Sequence, residues 1–105
     1  MSMHQAFVLA AEFTNLGRVE EAERIYRNIL YVHRDHFDCL MALGALRRRV
    51  GDLEAAGNFL VNAIAVRPDI FECHASLAQI RKGQGRFDDA IAAYGAAITL
   101  RPLNA

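Results

Sequence analysis

Few residues of this 105-residue chain could do chemistry: two cysteines, four histidines and some short runs of charge. His33, Asp35, His36 and Asp38 crowd one connection and are the first candidates for metal ligands. Structural zinc sites usually draw ligand pairs from positions well separated in the chain and fix four of them by geometry; four residues within one turn rarely converge. No metal is therefore expected. Gly83-Gln84-Gly85 begins like a dinucleotide-binding loop, but Asp88 stands where the third glycine is required and no strand pattern precedes it. There is no phosphate-binding loop, G-x-S-x-G elbow or H-E-x-x-H pair. His4 and His74 are isolated and read as partly exposed helix residues. Without a convergent pair of titratable groups, neither a catalytic site nor a cofactor is expected within these residues.

Cys39 and Cys73 are 34 residues apart, and the same step organises the whole chain. With segments 3–36, 37–70 and 71–104 in register, Leu9, Leu43 and Leu77 share a column, as do Gly17, Gly51 and Gly85, Ala22, Ala56 and Ala90, and Val19, Leu53 and Phe87. A period of this length means stacked supersecondary units, each completed by its neighbour. Equivalent helices in such a stack pack with axes about 8–10 Å apart, whereas a disulfide needs Cα atoms within about 7 Å. The two cysteines are thus expected to be unbridged, half-buried between units and chemically inert, which suits a cytosolic compartment.

Apolar residues recur at three- and four-residue steps, as in Leu40, Leu43, Leu46 and Val50, which is the period of a helix. The pattern predicts helices over 4–15, 19–32, 37–49, 53–66, 71–83 and 87–100, with each column glycine closing a first helix in the left-handed conformation. Small residues (Ala10, Gly44 and Ala78 facing Ala22, Ala56 and Ala90) are expected to let the two helices of a unit approach closely. Charge follows helix ends. Glu20, Glu21, Asp52, Glu54, Asp88 and Asp89 open second helices, and Arg47, Arg48, Arg49, Arg81 and Lys82 close first ones, each sign opposing the helix dipole. Asp69 with Glu72, and Asp35 with Asp38, read as capping-box-like starts.

The 34-residue step, the Leu-Gly pair at Leu43-Gly44, Gly51, Ala56, Ala63 and Pro68 resemble the tetratricopeptide repeat. The third segment repeats the pattern with Leu77-Ala78, Gly85, Ala90, Tyr94, Ala97 and Pro102, and the first with Leu9-Ala10, Gly17, Ala22 and Tyr26, Arg34 replacing the proline. One departure concerns packing: the family's late aromatic of the first helix is Phe13 in the first unit but Arg47 and Arg81 in the others. The resemblance implies an all-α, right-handed α-solenoid of three helix-turn-helix hairpins, six helices in one domain spanning 1–105. No terminal capping helix is expected, because Asn104 falls where a fourth unit would begin.

It also implies a protein-interaction module or scaffold that takes a peptide or partner segment in a concave groove lined by first helices. Projected onto this chain, the inner face comprises Phe7, Ala11, Met41, Ala42, Ala45, Ala75, Ser76 and Gln79. His4, Asp38 and Glu72 form one rim; Asn15, Arg48, Arg49 and Lys82 form the other. The equally weighted alternative is that Phe7 and Met41 merely pack against neighbours. The carboxylate clamp of chaperone-binding members is missing, since Phe7, Ala11, Ala42, Glu72 and Ser76 stand at its places, and so is the asparagine ladder of sugar-transferase arrays at Val8, Ala42 and Ser76. Two other roles remain open: a regulatory segment of a larger enzyme, such as a transferase, and self-association through the last helix, whose edge would be Ala93, Ala96, Ala97 and Leu100. The apolar outer side of that helix requires a cover, from a further segment of a longer protein (the expected case) or from a second copy.

Twelve basic and twelve acidic residues cancel, which argues against a general affinity for nucleic acid or an anionic membrane. No apolar run approaches the roughly 18 residues of a membrane span. The short apolar stretch Ala6 to Ala11 leads directly into Glu12 and reads as helix rather than a secretion signal, so a cytoplasmic protein is expected.

Overall fold

The computed structural model describes residues 1–101. Their regular structure is entirely helical: α1 (Met3–Asn15), α2 (Val19–Val32), α3 (Phe37–Arg49), α4 (Leu53–Val66), α5 (Phe71–Gly83) and α6 (Phe87–Leu100). The bounds repeat at the sequence period, so that α1, α3 and α5 are equivalent and α2, α4 and α6 are equivalent. Each helix packs on the next along the chain, giving three antiparallel hairpins stacked into a solenoid of 43 × 26 × 22 Å. Pro102 and Asn104, the closing proline and the residue at the expected fourth start, lie outside the described residues.

The hairpin turns are alike because their glycines are. Gly17, Gly51 and Gly85 have φ of 78°, 87° and 76°, the left-handed region that only glycine enters cheaply. Beyond each, an amide reaches back to close the helix: Arg18 N donates to the Phe13 carbonyl, Asp52 N to Arg47 and Arg86 N to Arg81, all at 2.8 Å. The glycine amides donate to Thr14, Arg48 and Lys82 at 3.0 Å, completing the Schellman pattern three times.

Within each hairpin the expected small residues carry the contact: Ala10, Ala22, Gly44, Ala56, Ala78 and Ala90 are all buried. One cluster joins the first unit to the second through Ala10, Ala22, Tyr26, Ile29, Cys39, Leu43 and Leu46; another joins the second to the third through Ala56, Leu60 and Ile80.

Several local expectations are corrected. The capping boxes at Asp69/Glu72 and Asp35/Asp38 do not form, because α5 and α3 start one residue later and their N-caps are Ile70 and His36. A box needs its polar residue at the N-cap itself. His36 does cap α3, its Nδ1 accepting from the Cys39 amide at 3.1 Å. Among the described residues the one complete box is at α1, where Ser2 Oγ accepts from Gln5 N at 3.1 Å and Gln5 Oε1 accepts from Ser2 N at 2.8 Å. Cys39 and Cys73 are unbridged, and they are fully rather than half buried.

Candidate functional site

The aromatic-to-arginine departures decide how the units join. Arg47 reaches across from α3 to α2, its Nε 2.8 Å from Glu23 Oε1 and its second terminal nitrogen donating to Glu23 Oε2 at 2.8 Å. Their side chains are 22% and 15% exposed, so the pair is an inter-unit tie and not the solvated helix end that the sequence suggested. In the next joint Gly57 takes the place of Glu23, and the Arg81 guanidinium lies against it, where a Cβ on Gly57 would be 3.0 Å from an Arg81 nitrogen. Arg81 donates instead to Gln84 Oε1 at 3.1 Å.

The two joints also differ at the inner face. Phe7 and Tyr26 meet edge to face at 5.5 Å, and Phe7 stacks on His36 at 5.8 Å, so the first joint is filled. Met41 and Leu60 stand at the equivalent places in the second joint, and Gly44 lies beside Leu60. A cleft of about 350 Å³ opens there, lined by Met41, Gly44, Ala45, Arg48, Arg49, Leu60, Ser76 and Ile80. Its floor is apolar, and its edge carries two guanidinium groups. Arg48 donates to Gln79 Oε1, and Arg49 donates to the Thr14 carbonyl at 3.4 Å. Among the described residues neither forms an ion pair with a carboxylate.

Of the residues placed in the groove from sequence, Met41, Ala45, Arg48, Arg49 and Ser76 come together at this cleft, with Gln79 held by Arg48. Phe7 is half-buried in the filled joint. Ala11 and Asn15 sit further along α1, outside the cleft. His4 lines a separate shallow depression with Gln5, Val8, Leu9 and Glu12. Asp38 is exposed at the start of α3, and Glu72 faces Arg101 at 3.7 Å, so the acidic rim lies away from the cleft. Ala75 is half-buried, and Lys82 is exposed at the end of α5. Gly44, Leu60 and Ile80 were not among the expected lining residues. The signal for Leu60 is its column, which holds Tyr26 and Tyr94 and so leaves a vacancy the size of an aromatic ring.

Both cysteines and His74 have structural partners or surroundings. Burial, reinforced by the Asp38 carboxylate, pushes the Cys39 thiol up to about 11. Burial also raises the Cys73 thiol, with Glu72 adding to the rise and Arg67 opposing it, and its Sγ lies 3.4 Å from Met41 Sδ. His74 Nε2 is 2.8 Å from the Pro68 carbonyl. Among the described residues no three His, Cys, Asp or Glu side chains gather as a metal site.

Residues 71–102 match the tetratricopeptide repeat profile, and the first two hairpins copy that matched hairpin helix for helix and turn for turn. The third hairpin is a tetratricopeptide repeat. No curated protein sequence matches it significantly. Among solved structures, the chain resembles MamA at a TM-score of 0.89 and 20% identity over 96% of its length, spanning 59% of the MamA chain. The Yersinia enterocolitica type III secretion chaperone SycD, solved with a peptide of the translocator YopD, gives a TM-score of 0.89 at 17% identity, with 95% of this chain and 76% of that one covered. A variant of the Thermobaculum terrenum O-GlcNAc transferase gives 0.83 at 26% identity, covering 96% of this chain and 19% of the transferase. The first two likenesses are of fold alone. No helix of the described residues is long and apolar enough to cross a membrane.

Proposed function

We propose that the chain is a protein-interaction module whose cleft between the second and third units takes an apolar side chain of a partner segment, with a neighbouring carboxylate held by Arg48 or Arg49. The single observation that carries this is the unfilled joint: an apolar floor of Met41, Leu60 and Ile80 beneath two guanidiniums that have no carboxylate partner among the described residues. Burying the side chain supplies affinity, and a charge-assisted contact at the edge fixes orientation. SycD, which shares the fold, was solved with a peptide, and that supports a peptide as the class of partner.

The test is a binding screen against synthetic 12-residue peptides in which one Leu or Phe is flanked by Asp or Glu, with Lys-flanked versions as controls. Binding of the acidic set, weakened about tenfold or more by Arg49→Glu, is expected. Equal binding of both sets, or no effect of Arg48→Glu and Arg49→Glu together, would overturn the assignment.

A further inference from the structure

The second joint is emptied at another place, which shares no lining residue with the cleft. At that place in the first joint, Arg47 meets Glu23 through two nitrogens, each at 2.8 Å, and Asp52 at 3.6 Å. Arg27 adds a contact to Glu23 at 3.3 Å, and its guanidinium lies 5.4 Å over the Phe59 ring. One period later the arginine persists as Arg81, but its surroundings do not: Gly57 replaces Glu23, Arg86 replaces Asp52, Val61 replaces Arg27 and Ala93 replaces Phe59. Two carboxylates and a ring are gone, and the cation remains.

What they leave is a hollow of about 410 Å³, walled by Val61 and Ile64 of α4, Leu77 and Arg81 of α5, and Ala93 of α6. Asp89 also borders it, but its carboxylate is paired with Arg86 at 2.8 Å. Arg81 is half-buried and lies against Gly57, and its one side-chain hydrogen bond goes to the neutral Gln84 amide. Among the described residues it meets no carboxylate. Ala93 and Ala97, which the sequence places on the outer edge of α6, are buried, and Ala96 is half-buried, so of that expected edge Leu100 alone is exposed. Ala93 borders the hollow instead.

We infer that this hollow is a second docking site, for a partner segment that restores the two missing groups: a carboxylate on Arg81 and a phenyl ring against Ala93 and Val61. The first joint shows how an arginine of this column is satisfied, by a carboxylate that engages two of its nitrogens, an arrangement stronger than a neutral hydrogen bond. A guanidinium held partly out of water without a counter-ion selects an acidic segment and rejects a basic one. In the first joint the carboxylate and the ring both touch the guanidinium of Arg27, so the two groups of the partner must lie side by side. A Glu and a Phe four residues apart on one helix face meet that condition.

The probe is a 12-residue helical peptide with one Glu and one Phe at that spacing, titrated by methyl-resolved NMR into the Arg48→Glu, Arg49→Glu chain, which removes the basic edge of the cleft. Shifts at Val61, Ile64 and Leu77 are expected, with affinity at least tenfold lower for a peptide whose Glu is changed to Gln, or whose Phe is changed to Leu. Gly57→Glu copies the carboxylate of the first joint into the second, and its Cβ crowds only the flexible tip of Arg81, at 3.0 Å. That variant is expected to melt at a higher temperature and to bind the peptide at least tenfold more weakly; Arg81→Gln is expected to weaken binding as much without the gain in melting temperature. Silence at the three methyls, equal binding of the Gln peptide, or binding unchanged in both Gly57→Glu and Arg81→Gln would overturn the inference. Shifts confined to Met41, Ala45 and Ile80 would place the peptide in the cleft and overturn this inference alone, so the two proposals fail independently.

Discussion

The first and second joints of this array use the same columns to opposite ends. In the first, Phe7 against Tyr26 fills the inner face and the Glu23–Arg47 pair ties the outer part. In the second, Met41, Leu60 and Gly44 leave the inner face open, and Gly57 removes the carboxylate that Arg81 would otherwise meet. Both joints bury the same two columns of the first helix, Cys39 with Leu46 and Cys73 with Ile80, so the stack persists while the infill changes. A repeat protein acquires a candidate site by leaving one joint underfilled.

The comparison breaks most severely at Tyr26. Its ring is almost wholly buried, and Tyr26→Ala should cost about 3–5 kcal/mol, the range for deleting a large core ring. The measurement is the chemical denaturation midpoint. Leu60→Ala, at the equivalent place beside an existing cleft, should cost less. A larger loss at Leu60 would reverse the assignment of which joint is filled.

The tie at Arg47 comes next. Arg47→Ala leaves Glu23 partly buried with its main cation removed and should cost about 1–3 kcal/mol, as for hydrogen bonds to charged groups. Arg81→Ala has no carboxylate to orphan and should cost under about 1 kcal/mol in the same assay. Equal losses would show that the two arginines do the same job.

Alkali gives a smaller, graded effect. The folded chain keeps the Cys39 thiol protonated up to about 11, from an ordinary value of 9.0, and burial raises Cys73 and Tyr26 as well. The unfolded chain therefore releases these protons first. Their contribution to stability is complete below pH 9.0 and is lost as pH rises toward about 11. Denaturation midpoints measured upward from pH 8 should fall, and the fall should be shallower in Cys39→Ala. An equal slope in that variant would remove the thiol from the explanation.

Gly44→Ala should do least. A Cβ there meets Leu60 Cγ at 3.5 Å and the Ala56 carbonyl at 3.6 Å, ordinary contacts, so the gain in helix propensity, up to about 1 kcal/mol, is not offset by a clash. Destabilisation in a melting experiment would mean that the second hairpin is packed more tightly than its cleft implies.

How much of this was legible in the sequence depends on which residues act through their column. The period and the turn glycines place five helices at the observed bounds, and α1 begins at Met3 instead of residue 4 because Ser2 and Gln5 form a cap. The inner-face columns bring Met41, Ala45, Arg48 and Arg49 to the cleft. What the pattern could not convey is where a column fails: Leu60 replacing tyrosine, or Gly57 replacing glutamate, matters only through the partner that faces it. Nor does the pattern distinguish Arg47, whose guanidinium reaches a preceding helix, from Arg48 and Arg49, which edge the cleft. Small residues mislead in the same way on α6, since Ala93 and Ala97 look suited to an exposed edge until the hairpin buries them.

The most direct measurement of the central claim is a methyl-resolved NMR titration with the acidic, Leu-containing peptide, comparing the wild-type chain with a Met41→Phe, Leu60→Tyr variant that copies the first joint into the second. Shifts concentrated at Met41, Ala45, Leu60 and Ile80 in the wild type, and abolished in a folded variant, are the expected result. Shifts elsewhere in the wild type, or undiminished binding once the second joint is filled, would contradict it.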